Sequence, residues 1–180
     1  MATISLCVIT KNEQEHLARC LGSVKNYVHE MIVVDTGSSD DTLSIAQSLG
    51  AQTFHYPWTN NFAAARNFAL DQAVGDWIVF LDADEYFDPQ KSVNLPDVVK
   101  KVHGNRRIDA VCILMHHMES LDGPIIASTY LVRLFRHSRL IRYQGRIHEA
   151  IHKQGHSPVA LYIPESTLVL HHTGYSESSL

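Results

Sequence analysis

The chain has 180 residues, 45% apolar and 19% charged, with a formal net charge of -4. That balance fits one globular domain with a real core and excludes disordered, collagen-like and linker-like chains; its mild acidity gives no reason to expect nucleic acid as a partner. The longest unbroken apolar runs, Trp77 to Leu81 and Ala110 to Met115, fall far short of the ~20 residues of a membrane span, and Met1-Ala2-Thr3-Ile4-Ser5 lacks the basic leader of a signal peptide, so a cytoplasmic protein is expected.

Ile4-Ser5-Leu6-Cys7-Val8-Ile9-Thr10 is a short apolar run ended by Lys11-Asn12-Glu13, after which Leu17, Cys20, Leu21 and Val24 recur at helical spacing. The reading is strand, loop, helix. Met31-Ile32-Val33-Val34 is a second strand, closed by Asp35-Thr36-Gly37-Ser38-Ser39-Asp40-Asp41. Gly37 allows a sharp turn there, Ser38 or Ser39 can cap a helix over Thr42 to Leu49, and Gly50 ends it. Gln52 to Tyr56 reads as a third strand, Asn60 or Asn61 as the cap of a helix through Phe62 to Leu70, and Trp77-Ile78-Val79-Phe80-Leu81 as a fourth strand running into Asp82-Ala83-Asp84-Glu85. Near-continuous apolar strands alternating with helices predict a parallel sheet covered on both faces, with ligands at the carboxyl ends of its strands.

Beyond Asp88-Pro89 the pattern predicts a helix at Leu95 to Val102 and strands at Ile108 to Met115, Ser128 to Phe135, Val159 to Ile163 and Thr167 to Leu170. The expectation is a single domain over 1–180, with 1–88 the ligand-binding half and 89–180 the other half, truncated or continued beyond its short polar tail. Cys7, Cys20 and Cys112 lie far apart inside apolar patterns and read as buried thiols, not as a disulfide frame or metal knuckle.

The acids fall where chemistry is expected: Glu13 follows the first strand, Asp35 ends the second, and Asp82 and Asp84 end the fourth. In a parallel sheet those ends share one edge. Carboxylates gathered there repel one another, and a hard divalent cation that also draws phosphate oxygens relieves the repulsion. An Asp-x-Asp pair alone is weak; its place directly after a buried strand gives it weight. Asp35 also reads as a helix N-cap and Glu13 as a first-turn helix acid.

Ile4 to Glu13, Ile32-Val33-Val34-Asp35-Thr36-Gly37-Ser38-Ser39-Asp40-Asp41-Thr42, Ala65-Arg66-Asn67 and Phe80-Leu81-Asp82-Ala83-Asp84-Glu85, in this order and spacing, resemble a family 2 glycosyltransferase of the GT-A fold. The resemblance implies an α/β fold with a mainly parallel central sheet and antiparallel additions. It also implies inverting transfer of a sugar from a nucleotide donor, with Mg²⁺ or Mn²⁺ held against the diphosphate. By the same resemblance Thr10, Asn12 and Glu13 lie along the nucleoside, Asp35 contacts base or ribose, and Arg66 sits near base or diphosphate. Asp82 faces the ribose or the metal, and Asp84 binds the metal. Thr36 stands where the family often has a second acid, so UDP is expected with the base selectivity left open.

Tyr143-Gln144-Gly145-Arg146-Ile147-His148-Glu149 and His172-Thr173-Gly174-Tyr175 are similar to segments of a bacterial branch of that family. This branch includes lipopolysaccharide-core glucosyltransferases and enzymes that glycosylate peptides. The likeness implies Glu149 as the base that deprotonates the acceptor, His148 as the alternative base, and His172 as a metal ligand. Glu149 also reads as a surface salt bridge, and His172 as a strand-end or core histidine. The acceptor expected is a glycan, a lipid-linked molecule or a peptide, with peripheral membrane contact left open.

His148-Glu149-Ala150-Ile151-His152 also spells His-Glu-x-x-His, which on a helix would make a zinc hydrolase with Glu149 as base. Gly145 and Gly155 leave room for barely two turns, and Pro158 stands where the extended motif has its third histidine; Glu165 would have to substitute. A nucleotide-binding module without catalysis is the third reading. Arg133, Arg136, Arg139, Arg142 and Arg146 concentrate positive charge, either for an anionic ligand or as a solvated strand face. Trp58 reads as a sugar-stacking or core aromatic.

Overall fold

A computed structural model describes residues 2–146 and 148–173. Ile147, Gly174 and Tyr175 of the sequence motifs lie outside the described residues. The chain runs β1 Ile4–Thr10, α1 Leu17–Val24, β2 Glu30–Asp35, α2 Thr42–Ser48, β3 Gln52–His55, α3 Phe62–Gln72 and β4 Trp77–Asp82. It continues with β5 Glu85–Phe87, α4 Leu95–His103, β6 Ala110–Met118, β7 Ile125–Arg136, β8 Ile141–Gln144, β9 Ala150–Lys153, β10 Ala160–Tyr162 and β11 Val169–His172.

Among the described residues, β3-β2-β1-β4-β7-β6-β11-β5 form one sheet, with β10 paired to β6. The first four strands in that order are parallel, as the apolar runs predict. The sheet is mixed beyond them: β7 runs antiparallel to β4 and β6, and β5 antiparallel to β11. Alternate strand residues point to opposite faces. Leu6, Val8, Val33, Val79 and Leu81 pack on the side of α1, α2 and α4, whereas Cys7, Ile32, Val34, Ile78 and Phe80 pack against α3 and the β8–β9 hairpin. The three cysteines are free and buried. No helix among the described residues is long and apolar enough to cross a membrane.

Two local expectations are corrected. Neither Ser38 nor Ser39 caps α2; the Asp40 carboxylate accepts from the Thr42 amide at 3.1 Å, while the Ser38 hydroxyl accepts from the Asn12 amide at 2.9 Å and the Ser39 amide donates to Asn12 Oδ1 at 2.8 Å. Asn12 itself sits at φ 56°, so the serines brace a strained turn after β1. The second correction is the His-Glu-x-x-His segment, which is not a helix. His148 adopts φ 56° and is exposed, and Ala150–Lys153 pairs with β8 in a hairpin, so His148 and His152 share no helix face and the zinc-hydrolase geometry is lost. Glu165, the substitute third ligand, lies instead 3.3 Å from His116.

Candidate active site

The carboxyl ends of the parallel strands meet in register: Thr10 stands beside Asp35, and Ile9 beside Asp82. β5 then pairs with β11 so that Glu85 faces His172 in the ladder, which brings the chain's last described strand back to the Asp82-Ala83-Asp84 turn. His172 Nε2 lies 3.0 Å from Asp84 Oδ2. A cavity of about 480 Å³ opens there, lined by Thr10, Glu13, Asp82, Asp84 and His172, with Trp58 and Phe62 as an aromatic wall. Trp58 is 36% exposed and meets Phe62 edge to face at 4.7 Å, so it is a cleft residue and not a core one.

The four acids do not behave alike. Burial, followed by the nearby Asp84, Asp40 and Asp82 charges, pushes the Glu13 carboxyl up to about 7. Burial alone would raise Asp82 too, but the Arg133 and Arg66 guanidiniums hold its carboxyl below the ordinary value. The hydrogen bond to Asp84 lifts the His172 imidazole above its usual value. Asp35 is only 2% exposed and turned back on its own loop, accepting from the Gly37 amide at 3.0 Å and the Ser38 amide at 3.1 Å. It shapes the turn that carries Thr36 into the cleft wall.

Arg66 rises from α3 into the layer beneath the cleft. Its Nη2 donates to Asp82 Oδ1 and its Nε to Glu149 Oε1, each at 2.7 Å, and its guanidinium lies over Phe80 at 4.8 Å and Tyr143 at 5.3 Å. Glu149 is therefore partnered in a mostly buried ion pair, not a surface one. The next residue on α3 fixes the same hairpin: Asn67 Nδ2 donates to the Tyr143 carbonyl and Asn67 Oδ1 accepts from the Tyr143 amide, both at 2.9 Å.

The arginine cluster disperses. Arg133 is nearly buried and donates to Asp82 at 3.0 Å and to Glu85, whose backbone-facing oxygen accepts from the Asp82 amide at 3.1 Å. Arg136 lies over Trp77 at 4.6 Å and donates to the carbonyls of Val102, His103, Asn105 and Ile108; Arg142 pairs with Asp71, and Arg139 and Arg146 are exposed. Neither a basic stripe for an anion nor a uniform solvated face describes them. Sequence reasoning missed the roles of Glu85 and Asn67. The Arg66-Asn67 dipeptide and the Asp84-Glu85 pair were visible, but their partners come from strands that only the tertiary fold supplies.

The residues suit a divalent cation on their donor chemistry. Asp84 Oδ2 and His172 Nε2 share one hydrogen bond at 3.0 Å, and a carboxylate oxygen and an imidazole nitrogen are donors that a divalent cation could take in place of that proton. Among the described residues no group of three or more His, Cys, Asp or Glu forms a complete cage. Two protein donors with substrate phosphates and water completing the shell is the usual arrangement for Mg²⁺-like ions at phosphate sites.

The fold and this cleft define a GT-A glycosyltransferase domain. The model of Glycosyl transferase family 2 matches residues 5–159, and the chain belongs to that family. It is 38% identical across its whole length to a TPR repeat-containing protein of Synechococcus elongatus, covering 44% of that protein. Over 98% of the chain it is 29% identical to the SPbeta prophage-derived glycosyltransferase SunS of Bacillus subtilis, covering 40% of it. The chain thus spans less than half the length of these relatives. Among solved structures, S. aureus TarS 1-349 superposes with a TM-score of 0.65 at 16% identity, over 95% of this chain and 60% of that one. Glucosyl-3-phosphoglycerate synthase from Mycobacterium tuberculosis, in complex with Mn²⁺ and UDP-glucose, gives 0.50 at 25% identity over 65% of this chain and 43% of that one.

Proposed function

We propose that this chain transfers a sugar from a nucleoside-diphosphate donor, with UDP as the nucleotide, to a glycan, lipid-linked or peptide acceptor with inversion at the anomeric carbon. Residues 1–88 hold the donor and 89–180 supply the acceptor side. The observation that carries the reading is the approach of Asp84 to His172 at 3.0 Å in a cleft shared with Glu13 and Asp82. The Mn²⁺ and UDP-glucose bound by the mycobacterial synthase support the same donor chemistry.

Asp84 and His172 would hold Mg²⁺ or Mn²⁺, with Asp82 beside them; a bound divalent ion neutralises the charge that develops on a leaving diphosphate. Thr10, Asn12 and Glu13 line the nucleoside, and the Asp35 turn presents Thr36 to it. In one displacement the acceptor oxygen forms its bond to the anomeric carbon as the bond to the diphosphate breaks. The electron pair leaves with the nucleoside diphosphate, and the acceptor proton passes to Glu149, with His148 as the alternative. Arg66 donates to both Glu149 and Asp82, so donor site and base are linked through one side chain.

Hydrolysis of a panel of UDP-, GDP- and dTDP-sugars, with Mn²⁺, Mg²⁺ or chelator, tests the proposal. Slow, metal-dependent release of UDP is the expected result. Nucleotide binding without release in either metal indicates a module without catalysis.

A further inference from the structure

Strands β6 and β11 each carry a His-His pair, and their register sets His116 beside His171 and His117 beside His172. Side chains alternate across a strand, so each face of the pair carries one rank of histidines. His171 packs against Tyr86 at 5.3 Å and lies 3.8 Å from the Asp88 carboxylate. The 117/172 rank turns toward the cleft through Asp84.

We propose that His117 is a positioning residue that fixes the ring orientation and tautomer with which His172 presents Nε2 to the divalent cation it shares with Asp84. This rests on the metal-dependent reading above. The Nδ1 atoms of His117 and His172 stand 3.1 Å apart, and the rings meet edge to face at 88° with centroids 5.2 Å apart. Two imidazole nitrogens at that distance share one proton, one donating and the other accepting. For His172 Nε2 to offer its lone pair to a cation, the ring must keep its proton on Nδ1. That N–H is aimed at His117 Nδ1, which accepts it.

Metal-ligating histidines ordinarily donate their second N–H to a carboxylate, carbonyl or water, and the partner sets orientation and basicity. A neutral imidazole does this here without adding negative charge to a cleft that already holds Glu13, Asp82 and Asp84. The partner is supplied by the neighbouring strand of a continuous ladder, so it is as rigid as the ligand it orients.

The test is Mn²⁺ titration of the whole chain, read by the electron paramagnetic resonance of free Mn²⁺ with and without UDP, in wild type, His117→Phe, His117→Asn and His172→Ala. Phe keeps the edge-to-face ring and removes the nitrogen, whereas Asn keeps a hydrogen-bonding group. His117→Phe is expected to weaken Mn²⁺ binding roughly 10- to 100-fold, the usual cost of losing such a partner. His117→Asn should restore most of it, and metal-free melting temperatures should stay equal. Wild-type affinity in His117→Phe, with loss in His172→Ala, overturns this inference and leaves the metal reading standing. No Mn²⁺ binding by wild type, or none lost in His172→Ala, overturns both. Should the Phe ring lower the metal-free melting temperature, the comparison is between His117→Asn, expected to bind as wild type does, and His117→Leu, expected to bind weakly; equal affinities in that pair overturn the proposal.

Discussion

Arg66 ties Glu149 to Asp82, donating to each carboxylate at 2.7 Å from a side chain that is only 7% exposed. One guanidinium, lying against Phe80 and Tyr143, thus sets the distance between the candidate base and the first acid of the Asp-x-Asp turn. Removing one partner of a buried ion pair leaves uncompensated charge. Arg66→Met is therefore expected to cost about 3 kcal/mol of stability at neutral pH, read by urea unfolding. Arg66→Lys keeps the charge but not the planar fork, so it should fall between the two. Wild-type stability in Arg66→Met would contradict this account.

Glu149→Gln separates the two duties of Glu149. The amide oxygen can still accept from Arg66 Nε, so the hairpin should stay in place. The side chain can no longer take the acceptor proton. Turnover is expected to fall about 10²- to 10⁴-fold, with donor affinity by calorimetry unchanged. Normal turnover would transfer the role to His148, for which His148→Ala is the matching measurement.

Asp84→Ala removes a partly exposed carboxylate whose hydrogen bond is to His172. The loss of one such bond at the cleft rim should change stability by about 1 kcal/mol or less, yet turnover and metal-dependent nucleotide binding are expected to disappear. Chelation of wild type should give the same loss, and added Mn²⁺ should reverse it only where Asp84 is present. Retained metal-dependent turnover in Asp84→Ala would refute its place as ligand.

The parallel half was legible because its strands are apolar nearly throughout and each ends in a polar turn: Trp77 to Leu81 reads as a buried strand before any partner is known, and Asp82 and Asp84 follow from it. Gly37 at φ 116° and the Asn61 cap on α3 were equally local facts. What was hidden depends on pairing between distant segments. The strand from Ala150 is half polar and four residues long, and its His-Glu-x-x-His lettering imitates a helix, so only the ladder to Ile141–Gln144 reveals it. Arg133 read either as an anion contact or as solvated charge because its partners Asp82 and Glu85 lie more than forty positions away in the chain. Asp35 was read as a contact of base or ribose or as a helix cap, and the bonds its two carboxylate oxygens accept from the Gly37 and Ser38 amides depend on how the turn folds back on itself.

Gly75 shows how closely the base of this sheet is packed. Its amide donates to Ser5 Oγ at 2.8 Å, and a Cβ at this position would lie 2.5 Å from that oxygen, 2.8 Å from the Ser5 amide nitrogen and 3.0 Å from the Ile4 carbonyl carbon. Two of these atoms belong to the backbone of β1, which is held between β2 and β4. Gly75→Ala is expected to destabilise the fold by about 1–3 kcal/mol, the range for forced overpacking, with a lowered melting temperature and no specific change in donor affinity of the folded fraction. A melting temperature equal to that of wild type would show that β1 can shift without cost.

Trp58 offers the opposite case, a large aromatic whose removal should leave the fold alone. Its ring is more than one third exposed, its indole N–H donates to Asn60 Oδ1 at 2.9 Å, and its principal neighbour is Phe62 at the start of α3. The Trp58 and Phe62 rings form the apolar wall of a cleft whose other side is acidic. A sugar or base placed between these walls gains stacking on one side and polar contacts on the other. Trp58→Ala is expected to raise the donor KM several-fold, equivalent to about 1 kcal/mol of lost aromatic contact, with the melting temperature unchanged. Trp58→Phe should recover most of the affinity by restoring a stacking face. A fall in kcat at constant KM would instead place the indole against the reacting centre.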